Sequence, residues 1–327
     1  MTATYQKRTH VSITTLCKFA SCPRKFFYYA HGLQSEVTKG PFLFGEAMHM
    51  AFPIILSGGS LANANDAFDL LWDTSLDDKK RNPETAHLIL ANFMLSHGTN
   101  PHTGVAKGMY KLVSPPKNTL EISDRVSDYE VPFAIEIGLP VPLVGRIDAM
   151  CRHRDSGELW GLEFKTTGGD PYGNLSEGFL RAFDKNPQVV GYTMALRQLS
   201  NENVRGTILD ATLVSHRKQD NMQYPIYVSD DEIAQFITWA QYYGGVLLAM
   251  EEKFLETNDA KSFPQFFTGC HPYASFGTGG FTCDYKILCD VKDWKTLETA
   301  FDVSSKTPFT ITPTIEGQSR DNAVPNV

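Results

Sequence analysis

The residues whose types and spacing could do chemistry lie in two short stretches. Gly145-Arg146-Ile147-Asp148 is followed, fifteen positions after the acid, by Glu163-Phe164-Lys165. Side chains two apart on a strand leave the same face, so Glu163 and Lys165 would project together while Phe164 points into the opposite layer. With Asp148 on the preceding strand of a hairpin, two carboxylates and an ammonium meet at one end of a sheet. Such a group is costly to bury unless a divalent cation neutralises the acids. The lysine can then orient or activate a water, or stabilise charge on a phosphate. An acid-x-Lys strand also occurs as an ordinary surface ion pair; the Gly-Arg-Ile-Asp turn and further spaced residues weigh against that here.

Two of those further features are helical. Gly45 and His49 lie four apart on one helix face, where the glycine permits close backbone approach and the imidazole can complete a metal shell. Alone, His49 reads more readily as a packed or capping histidine than as a ligand. Gln188 and Tyr192 are also four apart, on a face that could present polar groups to a phosphate backbone or to Lys165, or form a plain polar stripe.

The elements that must position these groups follow from period and punctuation. Ser12 to Ala30 reads as a capped helix interrupted near Cys22-Pro23, and Phe44 to Leu56 as a second helix. From Leu61 to about Lys111 the helical period comes in pieces, with loops at Asn82-Pro83 and Gly98 to Gly104; Pro115-Pro116 ends the stretch. The period then changes. Tyr129 to Ile137, Val141 to His153 and Leu159 to Thr166 are rich in β-branched and aromatic residues and are separated by turn chemistry, which predicts three strands in an antiparallel meander. A helix is expected over Asn186 to Leu199, strands over Gly206 to Ser215 and Gln223 to Val228, and a helix behind the Ser229-Asp230-Asp231-Glu232 cap. The whole is one α/β core without internal repeats. The Pro/Thr/Ser/Asn-rich tail, 305–327, has little to bury and is expected to be flexible.

Composition narrows the classes. A chain of 327 residues with 42% hydrophobic content can bury a sizeable core. No run approaches the roughly 18 apolar residues of a membrane span, and the N-terminus lacks the pattern of a secretory signal, so a cytoplasmic protein is expected, with no membrane partner. A net charge of −7 argues against a uniformly basic surface but not against DNA, because local Lys/Arg patches still attract phosphates. No phosphate-binding Gly-x-x-x-x-Gly-Lys-Ser/Thr loop is present, so the chain carries no motor of its own.

Taken in order, Gly-x-x-x-His, Gly-Arg-Ile-Asp, Glu-Phe-Lys-Thr-Thr and Gln-x-x-x-Tyr resemble the RecB-like branch of the PD-(D/E)XK nuclease superfamily, from about Ser12 to Cys289. That branch includes the RecB and AddAB nuclease domains, CRISPR-associated nucleases and stand-alone phage exonucleases. The resemblance implies a restriction-endonuclease-like core (helix, three-strand antiparallel meander, helix, strand) with a helical insertion. It also implies Mg²⁺ or Mn²⁺ held by His49, Asp148, Glu163 and the backbone carbonyl of Phe164. Lys165 becomes the catalytic lysine, and Gln188 and Tyr192 take supporting roles. One nuclease domain is expected over 1–304, with 57–116 as the helical insertion and 265–292 as a cysteine-bearing region. The expected activity is hydrolysis of DNA, as an exonuclease acting on ends or single strands in replication, recombination or repair. A phage origin and a recombination or replication protein as partner fit the same resemblance. A non-catalytic DNA-binding or assembly subunit that keeps the fold is the alternative.

Six cysteines are few for the length, and in a reducing cytoplasm clustered ones read as metal ligands or structural thiols rather than disulfides. Iron–sulfur members of the family carry one cysteine before the core and three after it, the last two with five residues between them. Cys22, Cys283 and Cys289 resemble that layout, and four thiolates would ligate a [4Fe–4S] unit. The chain departs from the usual Cys-x-x-Cys because position 280 is glycine, so Cys270 must be the remaining ligand. A four-cysteine structural zinc site and buried free thiols stay open. Cys17 and Cys151 look like core residues, with Cys17 the rival to Cys22. Arg24 and Lys25 are candidate phosphate contacts or a plain solvated basic face.

Overall fold

Prolines and short polar caps set most of the element boundaries. The computed structural model describes residues 7–30, 33–35, 39–98, 108–114, 129–170, 172–218, 220–266, 283, 285, 289 and 309–311. In chain order the elements are β1 (Val11–Ser12), α1 (Ile13–Ser21), α2 (Pro23–Ala30), β2 (Leu33–Ser35), α3 (Lys39–Leu56), α4 (Leu61–Leu71), α5 (Pro83–His97), β3 (Tyr110–Leu112) and β4 (Tyr129–Ile135). There follow β5 (Leu143–His153), β6 (Leu159–Thr167), α6 (Glu177–Arg181), α7 (Pro187–Ser200), β7 (Gly206–Leu213), β8 (Asn221–Tyr227), α8 (Asp230–Thr257) and β9 (Phe309–Ile311). They divide into a terminal unit, built from 1–39, 135–144 and 237–327, and a central unit, built from 40–134 and 145–236.

In the terminal unit, β1 runs parallel to the first residues of β5, pairing Val11 with Leu143 and Ser12 with Val144. The Ser12 hydroxyl then caps α1 by accepting the Thr15 N–H at 3.1 Å. That helix stops at Cys22, whose extended backbone (φ −169°, ψ 116°) is what a following proline imposes. Pro23 opens α2 at the one turn where a missing N–H costs nothing. Phe27 of α2 packs against Phe254 and Phe263, ring centroids 5.1 and 5.2 Å away. The pair β2–β9 is antiparallel, with Leu33 opposite Ile311. Apart from 309–311, the tail 305–327 lies outside the described residues.

The central unit is a sheet with helices. β5 and β6 are antiparallel, Ala149 opposite Leu162; β6 and β7 are parallel; β7 and β8 are antiparallel. β4 also pairs with β5, so the expected strand series β4-β5-β6 is present, in a mixed α/β fold consistent with a restriction-endonuclease-like core. The parallel step from β6 to β7 needs a long crossover, and α6 and α7 supply it. The stretch expected as helical pieces contains α4 and α5, each with a side-chain N-cap, from Ser60 and Asn82. Asn82-Pro83, expected as a loop, is therefore the cap and first residue of α5. The same stretch also contains β3, antiparallel to the end of β5; three residues are too short to show a strand period against a helical background.

One apolar cluster anchors the sheet to α3, α4 and α5. Phe52 stacks obliquely on Phe93 at 4.4 Å and on Phe164 at 5.4 Å, while Phe44 meets Phe68 edge-on at 5.3 Å. All five rings are at most 1% exposed, each contributing about 1.5–3 kcal/mol by burial. β6 is buried without interruption from Leu159 to Phe164 and only partly from Lys165 to Thr167. Its carboxyl end is therefore where the sheet meets water.

Candidate active site

That end of β6 carries the predicted chemistry. Asp148 precedes Ala149 on β5, and Glu163 follows Leu162 on β6, so the Ala149–Leu162 pairing sets the two acids at neighbouring positions of adjacent strands. The Asp148 Oδ2 accepts the Phe164 backbone N–H at 2.8 Å, which ties one carboxylate directly to the other acid's strand. Lys165 ion-pairs with Glu163 Oε1, and the same oxygen accepts the Gln188 Nε2 at 2.9 Å. Gln188 also donates to the Tyr192 hydroxyl at 3.1 Å. His49 Nδ1 lies 3.5 Å from Asp148 Oδ2. All of the residues predicted for the catalytic group, His49, Asp148, Glu163, Phe164, Lys165, Gln188 and Tyr192, thus come together in the central unit.

Local sequence explains the convergence. Gly45 sits one turn before His49 on α3, and a Cβ there would stand 3.3 Å from the Thr166 hydroxyl, so the glycine lets the helix lie close to the end of β6. At Gly145 a Cβ would fall 2.5 Å from the Phe133 ring; only glycine lets the start of the Gly-Arg-Ile-Asp segment pass that ring. α7 is capped by Asn186, whose side chain accepts the Gln188 N–H at 2.9 Å, with Pro187 as first helical residue. The cap therefore fixes the turn that carries Gln188.

The electrostatics separate the two acids. Burial, with the Asp148 charge adding to it, pushes Glu163 up to about 7; the lysine and histidine only partly oppose this. Burial also raises Asp148, but His49, Lys165 and the Phe164 N–H outweigh it and hold that carboxyl below its usual value. Burial would lower Lys165, yet the two carboxylates outweigh it and keep the ammonium charged. Burial likewise disfavours a charged His49, and Asp148 overcomes it.

A divalent cation fits one observation here. Glu163 is 1% exposed, and its Oε2 is buried without a hydrogen-bond partner, an arrangement that is costly unless a cation or water completes it. Among the described residues, no three His, Cys, Asp or Glu side chains are already gathered as a metal cage.

Glu130 is a residue that motif spacing did not single out. It lines a small pocket with His49, Pro53, Asp148 and Phe164, and it receives the Arg146 guanidinium at 3.1 Å. Its φ of 61° is left-handed, rare for a residue with a side chain. Arg146, read in the sequence only as part of a turn, is its ion-pair partner, but no residue type in the sequence identifies that pairing.

The cysteines belong elsewhere. Cys22, Cys283 and Cys289 are described in the terminal unit, and Cys270 lies outside the described residues. Cys22 Sγ accepts the Phe266 N–H at 3.5 Å. Cys289 lies against Tyr28, whose hydroxyl burial and that thiol push up to about 12. Burial raises both remaining thiols, Cys17 to about 11 and Cys151 further; Cys151 is fully buried, as expected of a core residue, whereas Cys17 is only half-buried and so is not one.

A comparison with curated protein sequences finds no match. Among solved structures, a candidate exonuclease from Eubacterium rectale is similar over 75% of this chain and 82% of its own, at 13% identity and a TM-score of 0.43. The protein SSO0001 is similar over 74% of this chain and 79% of its own, at 14% identity and a TM-score of 0.32. Both are distant likenesses. The sequence model of one family, however, matches residues 10–290, which takes in every residue of the site and most of the chain. By that match the chain belongs to the PD-(D/E)XK nuclease superfamily.

Proposed function

We propose that this nuclease is a Mg²⁺- or Mn²⁺-dependent DNA exonuclease of the RecB-like branch, acting on DNA ends. The observation that carries the reading is the orphaned, buried Oε2 of Glu163 beside Asp148 and Lys165. Asp148 and Glu163 would hold the cation, with His49 and the Phe164 carbonyl as further ligands. The cation would supply Lewis acidity toward the scissile phosphate. Lys165 holds one oxygen of Glu163 and, with its side chain 25% exposed, can reach a water or a phosphate oxygen. Gln188 fixes the same carboxylate and is itself oriented by Tyr192. The nuclease domain is taken as 1–304, with 57–116 as its helical insertion.

The decisive assay is Mn²⁺-dependent cleavage of end-labelled DNA, linear and circular. Linear DNA should be degraded and closed circles spared, and Lys165→Ala should lower the rate at least about 100-fold. Equal inertness of both proteins on every DNA form would leave a non-catalytic DNA-binding or assembly subunit. Cleavage of closed circles at the same rate would make the enzyme an endonuclease.

We further propose that Cys22, Cys270, Cys283 and Cys289 hold a [4Fe–4S] cluster, with structural zinc as the alternative. Support comes from the placement of Cys289 against α2, the helix that begins right after Cys22, and from thiolate donor chemistry. Iron and acid-labile sulfide in the purified protein, lost in Cys289→Ser, would bear this out; zinc in their place selects the alternative.

A further inference from the structure

The carboxyl ends of the parallel strands β6 and β7 open onto two loops that the catalytic group does not use. In sheets with parallel strands, ligands gather at those ends. Three residues after Lys165, the chain enters the turn 168–174. Its described residues are held by hydrogen bonds: Asp170 Oδ1 accepts the N–H groups of Tyr172 (2.9 Å) and Asn174 (2.8 Å), and Leu175 after them is buried. This turn presents Tyr172 with 88% of its surface in water, more than any other large apolar or aromatic side chain among the described residues.

Cations flank the turn at both ends. Lys80 Nζ donates to the Gly168 carbonyl at 3.2 Å, with exposed Lys79 beside it on the chain. Lys218 Nζ donates to Asn174 Oδ1 at 2.9 Å, from the segment after β7 that also exposes His216 and Arg217. Asp78 is spent on Arg81, and Asp220 stands 3.3 Å from Lys218; among the described residues neither Lys79 nor Arg217 has an ion-pair partner. Against Asp77, Asp78, Asp170 and Asp220, the cations Lys79, Lys80, Arg81, Arg217 and Lys218 leave one net positive charge around the exposed ring, on a chain of net charge −7. Phosphates are attracted by the lysines, and a ring standing free in water can stack only on a base that has no partner strand in the way.

We propose that Tyr172, with Lys79, Lys80, Arg217 and Lys218 on the segments that hydrogen-bond to Gly168 and Asn174, is the contact surface for an unpaired DNA strand at the mouth of the catalytic site. This rests on the nuclease reading and deepens it: the substrate presented to Lys165 is single-stranded over the nucleotides that cross this turn.

The test uses the full chain carrying Lys165→Ala, so that DNA survives, and fluorescence anisotropy with a labelled single-stranded oligothymidine and a blunt duplex. Adding Tyr172→Ala should weaken oligothymidine binding about tenfold and duplex binding less than about twofold. Tyr172→Trp should restore the former. Replacing Lys80 and Lys218 by alanine should weaken both ligands and lower the salt dependence by about one counterion per charge. Unchanged oligothymidine affinity in Tyr172→Ala, or equal losses for single strand and duplex, overturns the proposal while leaving the nuclease reading intact, as cleavage by the unsubstituted chain would show. Failure of the unsubstituted chain either to bind or to cleave DNA overturns both.

Discussion

Glu163 and Asp148 are the same kind of group in opposite circumstances. Glu163 is sealed from solvent with one oxygen held by Lys165 and Gln188 and the other without a donor, while the Asp148 side chain keeps 21% of its surface in water and takes an N–H from the neighbouring strand. Two acids of unlike environment beside one ammonium are what a reaction needs when one group must stay charged throughout. Gln188 acts on this arrangement at one remove. Gln188→Ala should leave the fold intact and lower cation affinity, read as the Mn²⁺ concentration for half-maximal cleavage, by about 10- to 100-fold. An unchanged midpoint would reduce Gln188 to a helix-surface residue. The acid pair and the lysine were legible from spacing because a strand's two-residue period converts acid-x-Lys into a shared face. Glu130 was not, since its approach to the pocket depends on the β4–β5 pairing and on a left-handed backbone, neither of which leaves a mark in residue type.

Among the elements, those with strong punctuation were readable in advance. The break at Cys22-Pro23, the cap at Asn186-Pro187 and the strands β4 to β8 follow from proline geometry, capping and runs of β-branched and aromatic residues between turns. β3 escaped notice because its pairing with β5 is a tertiary fact, made with residues some 40 positions away. Close approach is similarly silent until packing is known, and Gly145 shows its energetic size. Gly145→Ala would drive a methyl into the Phe133 ring and should cost about 1–3 kcal/mol in urea unfolding. Combined with Phe133→Ala, the loss should be smaller than the sum of the two single changes, because the same collision is relieved. Strict additivity would show that the ring moves aside freely.

For the molecule as a whole, an orphaned carboxylate oxygen makes cation binding a stability term. At a free Mn²⁺ concentration about 100 times the dissociation constant, the folded chain should gain about 2.7 kcal/mol. This would appear as a rise in thermal midpoint that a chelator reverses. Glu163→Gln and Asp148→Asn should each abolish most of that rise. An equal rise in all three proteins would place the bound cation elsewhere. Among the described residues, no helix is long and apolar enough to cross a membrane.

The change in burial along β6 has a consequence for how the chain tolerates insertions and deletions. Water begins between Phe164 and Lys165, so the strand's register decides which groups are dry and which are wet. A single residue deleted anywhere from Leu159 to Leu162 would turn every later side chain to the other face, carrying Glu163 and Lys165 together away from Asp148 and turning Phe164 onto the face they left. A residue deleted from the turn at 172–174 would shift nothing in the ladder. In a deletion scan scored for expression of folded protein, the boundary between lethal and tolerated positions should therefore trace the shoreline of this one strand.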